Sequence, residues 1–357
     1  MLSINYKDTW FALVDCNNFY VSCERVFSPN LNHKPIVVLS NNDGCIIARS
    51  QESKSIGIKM GVPLYKAKKI IADYDVQVFS SNYALYGDIS RRIMDSLFEF
   101  SPSVEIYSID EAFLNISKEK KNLLEYGSEI KRRIKQWIGI PVSVGIGKTK
   151  TLAKLANEFA KKRITPNGVY VIHKLENEKM PLKKIELEDI WGIGNRVGRK
   201  IRNMNIKTIP ELMNLKQEEI RKRFNVNTQR TILELHGIKC INIENTEKKK
   251  KSICVSRSFK KPISCIKKTE EALTNYITNA AEKLRKNKLL ATTIVIFLHT
   301  NPFNKSAPQH HESLIHHLPN PSNDTRIFIQ ISFFLLKKIF QDNTRYHKAG
   351  VILLDLI

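Results

Sequence analysis

Thr9-Trp10-Phe11-Ala12-Leu13-Val14-Asp15 is an apolar run that ends abruptly in a carboxylate. Five consecutive apolar residues without polar alternation predict a strand buried in a sheet, with the acid where the strand leaves the core. A second acidic site lies within residues 104–116. There Tyr107-Ser108-Ile109-Asp110-Glu111-Ala112-Phe113 sets two adjacent acids between apolar positions, which predicts a tight hairpin with Asp110 and Glu111 at or near its turn. An Asp ending a buried strand and an Asp-Glu pair on a hairpin can converge to hold divalent metal. Ionised carboxylates flanked by apolar strands are costly unless something positive compensates, and two Mg²⁺ ions about 3.5–4 Å apart would do so.

Outward from these two sites the chain divides by pattern. Residues 34–81 mix strands at 36–39 and 45–48 with helical pieces punctuated by Gly57, Gly61 and Pro63, and read as an insertion. Ile130, Ile134 and Trp137 recur at i, i+4 and i+7 with Lys131, Arg132, Arg133 and Lys135 on the other faces. Leu152, Leu155, Ala156 and Phe159 repeat that pattern behind Thr149 and Thr151, with Lys148, Lys150, Lys154, Lys161 and Lys162 around them. Both helices are expected to pack on one face of the acid-bearing sheet. Pro166-Asn167-Gly168 and a strand at 169–172 close the segment.

Residues 181–243 turn helical and compact, and residues 244–252, with Lys248-Lys249-Lys250-Lys251, read as a linker. Beyond it come a strand (253–259), a helix (268–286), strands at 289–299 and 312–318, a helix (325–340) and a strand (349–356). That order, βαββαβ, predicts a ferredoxin-like sandwich.

Composition sets the class. The 357 residues carry 58 Lys+Arg against 35 Asp+Glu, a formal charge of +23, with 42% hydrophobic residues. A disordered basic protein is excluded, and a large positive charge on a foldable chain points to nucleic acid. Residues 1–8 show no signal-peptide pattern and no run approaches about 18 apolar residues, so a soluble, cytosolic protein is expected. The six cysteines, at 16, 23, 45, 240, 254 and 265, include no C-x-x-C pair, and reduced thiols are expected.

Six separate words then narrow the class. Asp15-Cys16-Asn17-Asn18-Phe19-Tyr20-Val21-Ser22-Cys23-Glu24 and Tyr107 to Phe113 resemble the two metal-binding motifs of the Y-family DNA polymerases. Ser40-Asn41-Asn42-Asp43-Gly44-Cys45-Ile46-Ile47-Ala48-Arg49, the segment from Lys148 to Asn157, and Ser256-Arg257-Ser258-Phe259, together with Ser80-Ser81-Asn82-Tyr83, resemble its UmuC branch. The resemblance spans Trp10 to Leu356. It implies an α/β multidomain fold, a right-handed polymerase with a split palm (1–24 and 82–178), small fingers (25–81), a helical thumb (179–243), a linker (244–252) and a little finger (253–357). The implied activity is template-directed, error-prone extension of a primer past damaged bases in the SOS response. Primer-template DNA and dNTP would be its substrates, two Mg²⁺ its cofactors, and a UmuD′-type dimer and a RecA filament its partners in a bacterial cytoplasm, associated with the nucleoid when acting. Such chains usually continue into a clamp-binding tail, whereas this one ends at Ile357, so no sliding-clamp contact is expected.

By motif position the resemblance makes Asp15, Asp110 and Glu111 the catalytic metal ligands, with the Cys16 carbonyl beside them. Phe19 and Tyr20 fall at nucleotide-binding positions, Tyr20 as the steric gate beneath the incoming sugar. Lys161 matches the basic residue on the triphosphate, and Lys54 is a second candidate where many relatives use Arg, while Gln51 replaces a Tyr found in some branches. Asp189-Ile190-Trp191-Gly192-Ile193-Gly194-Asn195-Arg196 resembles the hairpin of a helix-hairpin-helix element. Its Gly192 and Gly194 would let backbone N–H groups approach a phosphate beside a helix N-terminus. Arg196 and Arg257 complete the DNA-binding candidates, and Asn205 stands where a Gly often ends the second helix.

Three further patterns are expected to carry no chemistry. Gly147-Lys148-Thr149 lacks the first P-loop glycine, since position 142 is Val. His310-His311 and His316-His317 read as a solvated loop and strand rather than a metal site. Gln330-Ile331-Ser332-Phe333-Phe334 vaguely resembles a clamp peptide, but its helical spacing with Ile327, Ile331, Phe334 and Leu335 predicts core packing. The alternatives to a polymerase are an inactive DNA-binding accessory subunit and, less favoured, a palm-type nucleotidyl cyclase.

Overall fold

The structure is a computed structural model that describes residues 9–116, 122–162, 167–244 and 250–357. The N-terminal residues 1–8, Pro166 and Lys248-Lys249 of the basic run lie outside the described residues. The chain divides into two compact units, Met1–Thr246 and Glu247–Ile357.

The first unit begins with β1 (Trp10–Cys16), α1 (Phe19–Phe27), β2 (Ile36–Leu39), β3 (Ile46–Arg49), α2 (Gln51–Ser55), α3 (Leu64–Asp73) and β4 (Gln77–Phe79). It continues with α4 (Tyr83–Leu97), β5 (Val104–Ile106), β6 (Glu111–Ile116), α5 (Leu123–Ile138), β7 (Val142–Gly147), α6 (Lys150–Lys161) and β8 (Val169–Ile172). Strands β5-β6-β1-β7-β8 form one sheet, and β3-β2-β4 a separate small sheet that realises the insertion. Strand β4 and helix α4 were not anticipated from the pattern. The 15-residue α4 buries Tyr86, Ile89, Ile93 and Leu97, and its N-terminus is capped by Asn82, whose side chain accepts the Leu85 N–H.

The acid-bearing sheet is covered on both faces, and this corrects the expectation that the two helices share one face. Ala12, Val14, Val144 and Ile146 pack with Ile89 and Ile93 of α4 and with Ile130 and Ile134 of α5. The alternate residues Phe11, Leu13 and Phe113 pack against Ala153 of α6. Two glycines report how close the helices come. A Cβ on Gly127 would meet the Val169 side chain at 2.6 Å, and one on Gly145 would meet the Asn157 backbone nitrogen at 2.1 Å. A strand sandwiched between helix layers must be apolar on both sides, which is why β1 shows no polar alternation. A second correction concerns Trp137. It is 48% exposed while Ile130 and Ile134 are fully buried, and its indole lies beside Phe100 and Arg133 rather than in the core.

The rest of this unit is a helical segment: α7 (Lys179–Leu182), α8 (Asn195–Arg202), α9 (Ile209–Met213), α10 (Gln217–Arg223) and α11 (Val226–Leu235). Asn205 takes the left-handed φ of +60° that the missing glycine would have adopted, a conformation Asn tolerates better than most residues.

The second unit runs β9 (Ser252–Ile263), α12 (Ile266–Lys286), β10 (Ala291–His299), β11 (His311–Ser322), α13 (Thr325–Ile339) and β12 (Tyr346–Leu356). Its sheet is antiparallel in the order β11-β10-β12-β9. Each helix therefore joins two parallel strands with a third between them, the split βαβ arrangement expected. Two expectations are met only in part here. The core face of α13 is Phe328, Ser332, Leu335, Leu336 and Ile339, whereas Ile327 is 39% and Phe334 55% exposed. Leu335 of the expected stripe is in that core and Ile331 packs against it, but the helix carries apolar residues nearly all round, so periodicity alone did not exclude Ile327 and Phe334. Of the histidines, His311 and His317 are exposed as expected, whereas His310 and His316 are half-buried, and three of the rings make specific contacts. His310 sits against the Tyr346 ring and hydrogen-bonds the Ile339 carbonyl, His311 meets His299, and His317 pairs with Thr293.

Candidate active site

Strand β1 delivers Asp15 and Cys16 to the end of the sheet, and the register of β1 with β6 puts Glu111 directly opposite Asp15. The turn before β6 is closed by Ser108, whose hydroxyl oxygen accepts the N–H groups of Asp110 and Glu111 and whose O–H donates to Asp110 Oδ1 at 2.6 Å. The Cys16 N–H donates to the Asp110 carbonyl at 2.9 Å, which ties the strand end to the turn. Asn17 anchors the next step, its side-chain oxygen accepting from Ser143. Asn18, at φ +49°, then turns the chain into α1.

Asp15 is 6% exposed. Burial pushes its carboxyl up to about 7, against the pull of the Lys161 ammonium 2.7 Å from Oδ2 and with a further push from Glu111. Burial opposes the charge of Lys161 too, but Asp15 and Glu158 outweigh it and hold the ammonium above its ordinary range. Burial and the nearby acids, Asp15 first, also push the Cys16 thiol well up, which leaves that residue only its carbonyl to offer a hard cation. Glu111 pairs with Lys154, Nζ to Oε2 3.1 Å. Each acid thus has a different partner, and among the described residues no three His, Cys, Asp or Glu side chains already form a closed cation cluster. The donor set is nevertheless hard oxygen throughout, and a buried Asp15 beside the half-buried Asp110 and Glu111, with Glu111 pushing against its charge, fits a divalent cation such as Mg²⁺.

One cleft of about 950 Å³ gathers Asp15, Cys16, Phe19, Tyr20, Lys54, Asp110 and Lys161, with Gln51 on its wall. Glu111, Gly192 and Gly194 line a neighbouring cavity of about 420 Å³. The Tyr20 ring stacks flat on Tyr86, centroids 4.3 Å apart, and Tyr83 meets it edge-on. Tyr86 is itself pinned by its hydroxyl on Glu24 at 2.6 Å. Lys54 reaches Asn18 Oδ1 at 2.6 Å, and its pKa is lowered by burial and then by Arg49 and Lys161. Cations crowded in this way favour a polyanion between them. The sequence pattern did not single out Arg49, which lines the cleft and donates to the Ile58 carbonyl. Its place at the end of the Ser40–Arg49 word was the available signal. Gly192 adopts φ +85°, Gly194 caps α8, and Arg196 is exposed on the first turn of that helix. Arg257 lies exposed in β9 of the second unit.

The chain resembles known proteins along most of its length. The chain matches the impB/mucB/samB family over residues 14–158 and the C-terminal domain of that family over residues 250–357. It is 42% identical over 348 residues to Protein UmuC of Salmonella typhimurium strain LT2, covering 97% of this chain and 82% of that one. With DNA polymerase IV of Oceanobacillus iheyensis it shares 33% identity over 230 residues, 63% of this chain and 53% of the relative. A solved Y-family DNA polymerase chimera superposes with a TM-score of 0.79 at 23% identity, covering 98% of this chain and 99% of that chain.

Proposed function

Because this chain belongs to the impB/mucB/samB family of Y-family DNA polymerases, we propose that it extends a primer past damaged template bases by nucleotidyl transfer in the 950 Å³ cleft. The observation that carries this is the convergence of Asp15, Asp110, Tyr20 and Lys161 on that one cleft. In this reading the five-stranded sheet is the palm, the three-stranded insertion the fingers, the helical segment the thumb and the second unit the little finger.

Asp15, Asp110, Glu111 and the Cys16 carbonyl would hold Mg²⁺, which when bound neutralises triphosphate charge and lowers the pKa of the primer 3′-hydroxyl. Lys161, Lys54 and Arg49 bind the triphosphate. The first-turn N–H groups of α1 (Phe19–Phe27), which have no acceptor within the helix, would offer further donors to the same anion. Phe19 and Tyr20 floor the sugar site, and Gly192, Gly194, Arg196 and Arg257 hold the DNA backbone. A cyclase reading leaves the glycine hairpin and the whole second unit without a task, and an inactive-subunit reading leaves the acids without one. A UmuD′-type dimer and a RecA filament are the proposed partners. Among the described residues no helix is long and apolar enough to cross a membrane. Primer extension on undamaged and abasic templates, with and without Mg²⁺, tests the assignment: extension that needs Mg²⁺ supports it, and none on either template refutes it.

Two further outcomes are expected. Tyr20→Ala opens the volume that a ribose 2′-hydroxyl would enter. Forcing an extra group into a packed site costs roughly 1–3 kcal/mol, so the ratio of dNTP to rNTP incorporation is expected to fall about 10- to 100-fold. An unchanged ratio with normal dNTP use would make the ring simple packing. Replacing Arg257, Lys260 and Lys261 together with Gln is expected to flatten the slope of log K against log[salt] for primer-template by about 2–3, at roughly 0.9 per phosphate contact. A fluorescence-anisotropy titration showing the wild-type slope would remove these residues from the DNA surface.

A further inference from the structure

We propose that Lys154 is a positioning residue for Glu111, and that Tyr107 and Trp191 fix its ammonium so that the glycine hairpin of the helical segment is mechanically joined to a catalytic acid. The inference rests on the polymerase reading of the cleft. Lys154 Nζ lies 3.1 Å from Glu111 Oε2 and 3.4 Å from Oε1, so it spans both carboxylate oxygens. Both side chains are less than one-fifth exposed. The same ammonium stands over the Tyr107 ring at 4.4 Å and over the Trp191 ring at 5.6 Å. Those rings meet edge-on at 5.7 Å, and the Trp191 Nε1–H donates to the Tyr107 hydroxyl at 3.0 Å. Trp191 also leans on Phe113 of β6, while its carbonyl accepts from Thr231 of α11.

Lysine is a point charge on a flexible stem, so by itself it fixes little. Two aromatic faces that favour the cation from other directions restrict where the ammonium can sit. The carboxylate bound to it is restricted in turn. Glu111 opens β6 opposite Asp15, and a small rotation of its side chain would change what it presents to the neighbouring acid. Trp191 immediately precedes Gly192, so displacement of the hairpin by a DNA backbone would be felt at the ammonium. A direct contact of Lys154 with DNA phosphate is disfavoured by its surroundings, since the cavity it lines also carries Glu111, Glu158, Glu188 and Asp189.

The test is single-nucleotide insertion by the full chain, with kcat, dNTP KM and primer-template affinity measured separately. Lys154→Ala is expected to lower kcat about 10- to 100-fold, the usual effect of losing a group that orients a metal ligand, with DNA affinity unchanged. Lys154→Arg keeps the charge and the ring contacts and should restore most of the rate, which a merely structural loss would not allow. Tyr107→Phe deletes one hydroxyl and no packing, and should lower kcat about two- to fivefold. In the Lys154→Ala background it should add nothing, because the two act through one ammonium. Wild-type kcat in Lys154→Ala, or independent effects of the two substitutions, would overturn the proposal. A loss confined to DNA affinity, with a flatter salt dependence, would make Lys154 a phosphate contact instead. A wild-type chain that extends no primer would refute the polymerase reading itself and this proposal with it, whereas an active wild type beside an unimpaired Lys154→Ala refutes only the positioning.

Discussion

Asp110→Ala is expected to reduce primer extension by about a thousandfold or more while leaving primer-template binding and the fold intact. The magnitude follows from the several kcal/mol that a catalytic metal contributes to the transition state, at 1.36 kcal/mol per tenfold. The fold should survive because the structural bonds at this position are made by the main chain. The Asp110 carbonyl accepts from Cys16, and its N–H donates to Ser108, and neither needs the carboxylate. The side chain's own partner is the Ser108 hydroxyl, in a part-buried turn where water can replace it. Extension within tenfold of wild type by a folded, DNA-binding Asp110→Ala chain would remove Asp110 from the catalytic set.

Glu234→Ala is expected to have the largest effect on stability, about 3–5 kcal/mol. This α11 carboxylate is fully buried, and four donors converge on it. Oε2 accepts from the Thr151 N–H at 3.0 Å and the Thr151 hydroxyl at 2.8 Å, and Oε1 from the N–H groups of Cys240 and Ile241 at 3.1 and 2.8 Å. It therefore caps the first turn of α6 and fastens the helical segment to the sheet side at once. Alanine would leave the two buried Thr151 donors unpaired, each worth about 1–3 kcal/mol, and release the part-buried N–H groups of Cys240 and Ile241. That is a sizeable part of the 5–15 kcal/mol that typically stabilises a domain. The three tryptophans, Trp10, Trp137 and Trp191, all lie in the first unit, so urea unfolding followed by their fluorescence reports on the unit concerned. Glu234→Gln, which retains one acceptor oxygen, should fall between wild type and alanine. A wild-type midpoint for Glu234→Ala would show that water reaches these donors.

Much of the site was legible because its carriers are local. Asp15 follows an unbroken apolar run and Asp110-Glu111 sits in a short hairpin word, so strand, turn and acid could be located together. The glycines at 192 and 194 mark a turn by their own conformational freedom, and the βαββαβ order of the second unit follows from successive periods of two and 3.6. Trp137 and the outer stripe of α13 failed for one reason. Helical spacing says which residues share a face but not where the covering layer stops, and Ile327 and Phe334 lie outside it.

By itself, then, the sequence determined most of the element order, β4 and α4 excepted, the acids and their placement at strand ends, and, through the resemblance of its motifs, the class of reaction. These depend on residue types within a few positions of one another. Tertiary structure alone decided that α5 and α6 cover opposite faces of the sheet, that Tyr86 holds the Tyr20 ring flat, and that Lys154 serves Glu111 within an aromatic box. The Trp191–Tyr107 bond joins residues 84 apart and the Glu234–Thr151 bond residues 83 apart. Periodicity reports that a side chain is buried, whereas its partner is chosen by sheet order and by the close approach of helices that Gly127 and Gly145 permit. Those are properties of the packed chain as a whole, fixed only when segments far apart in sequence exclude water from the same surface.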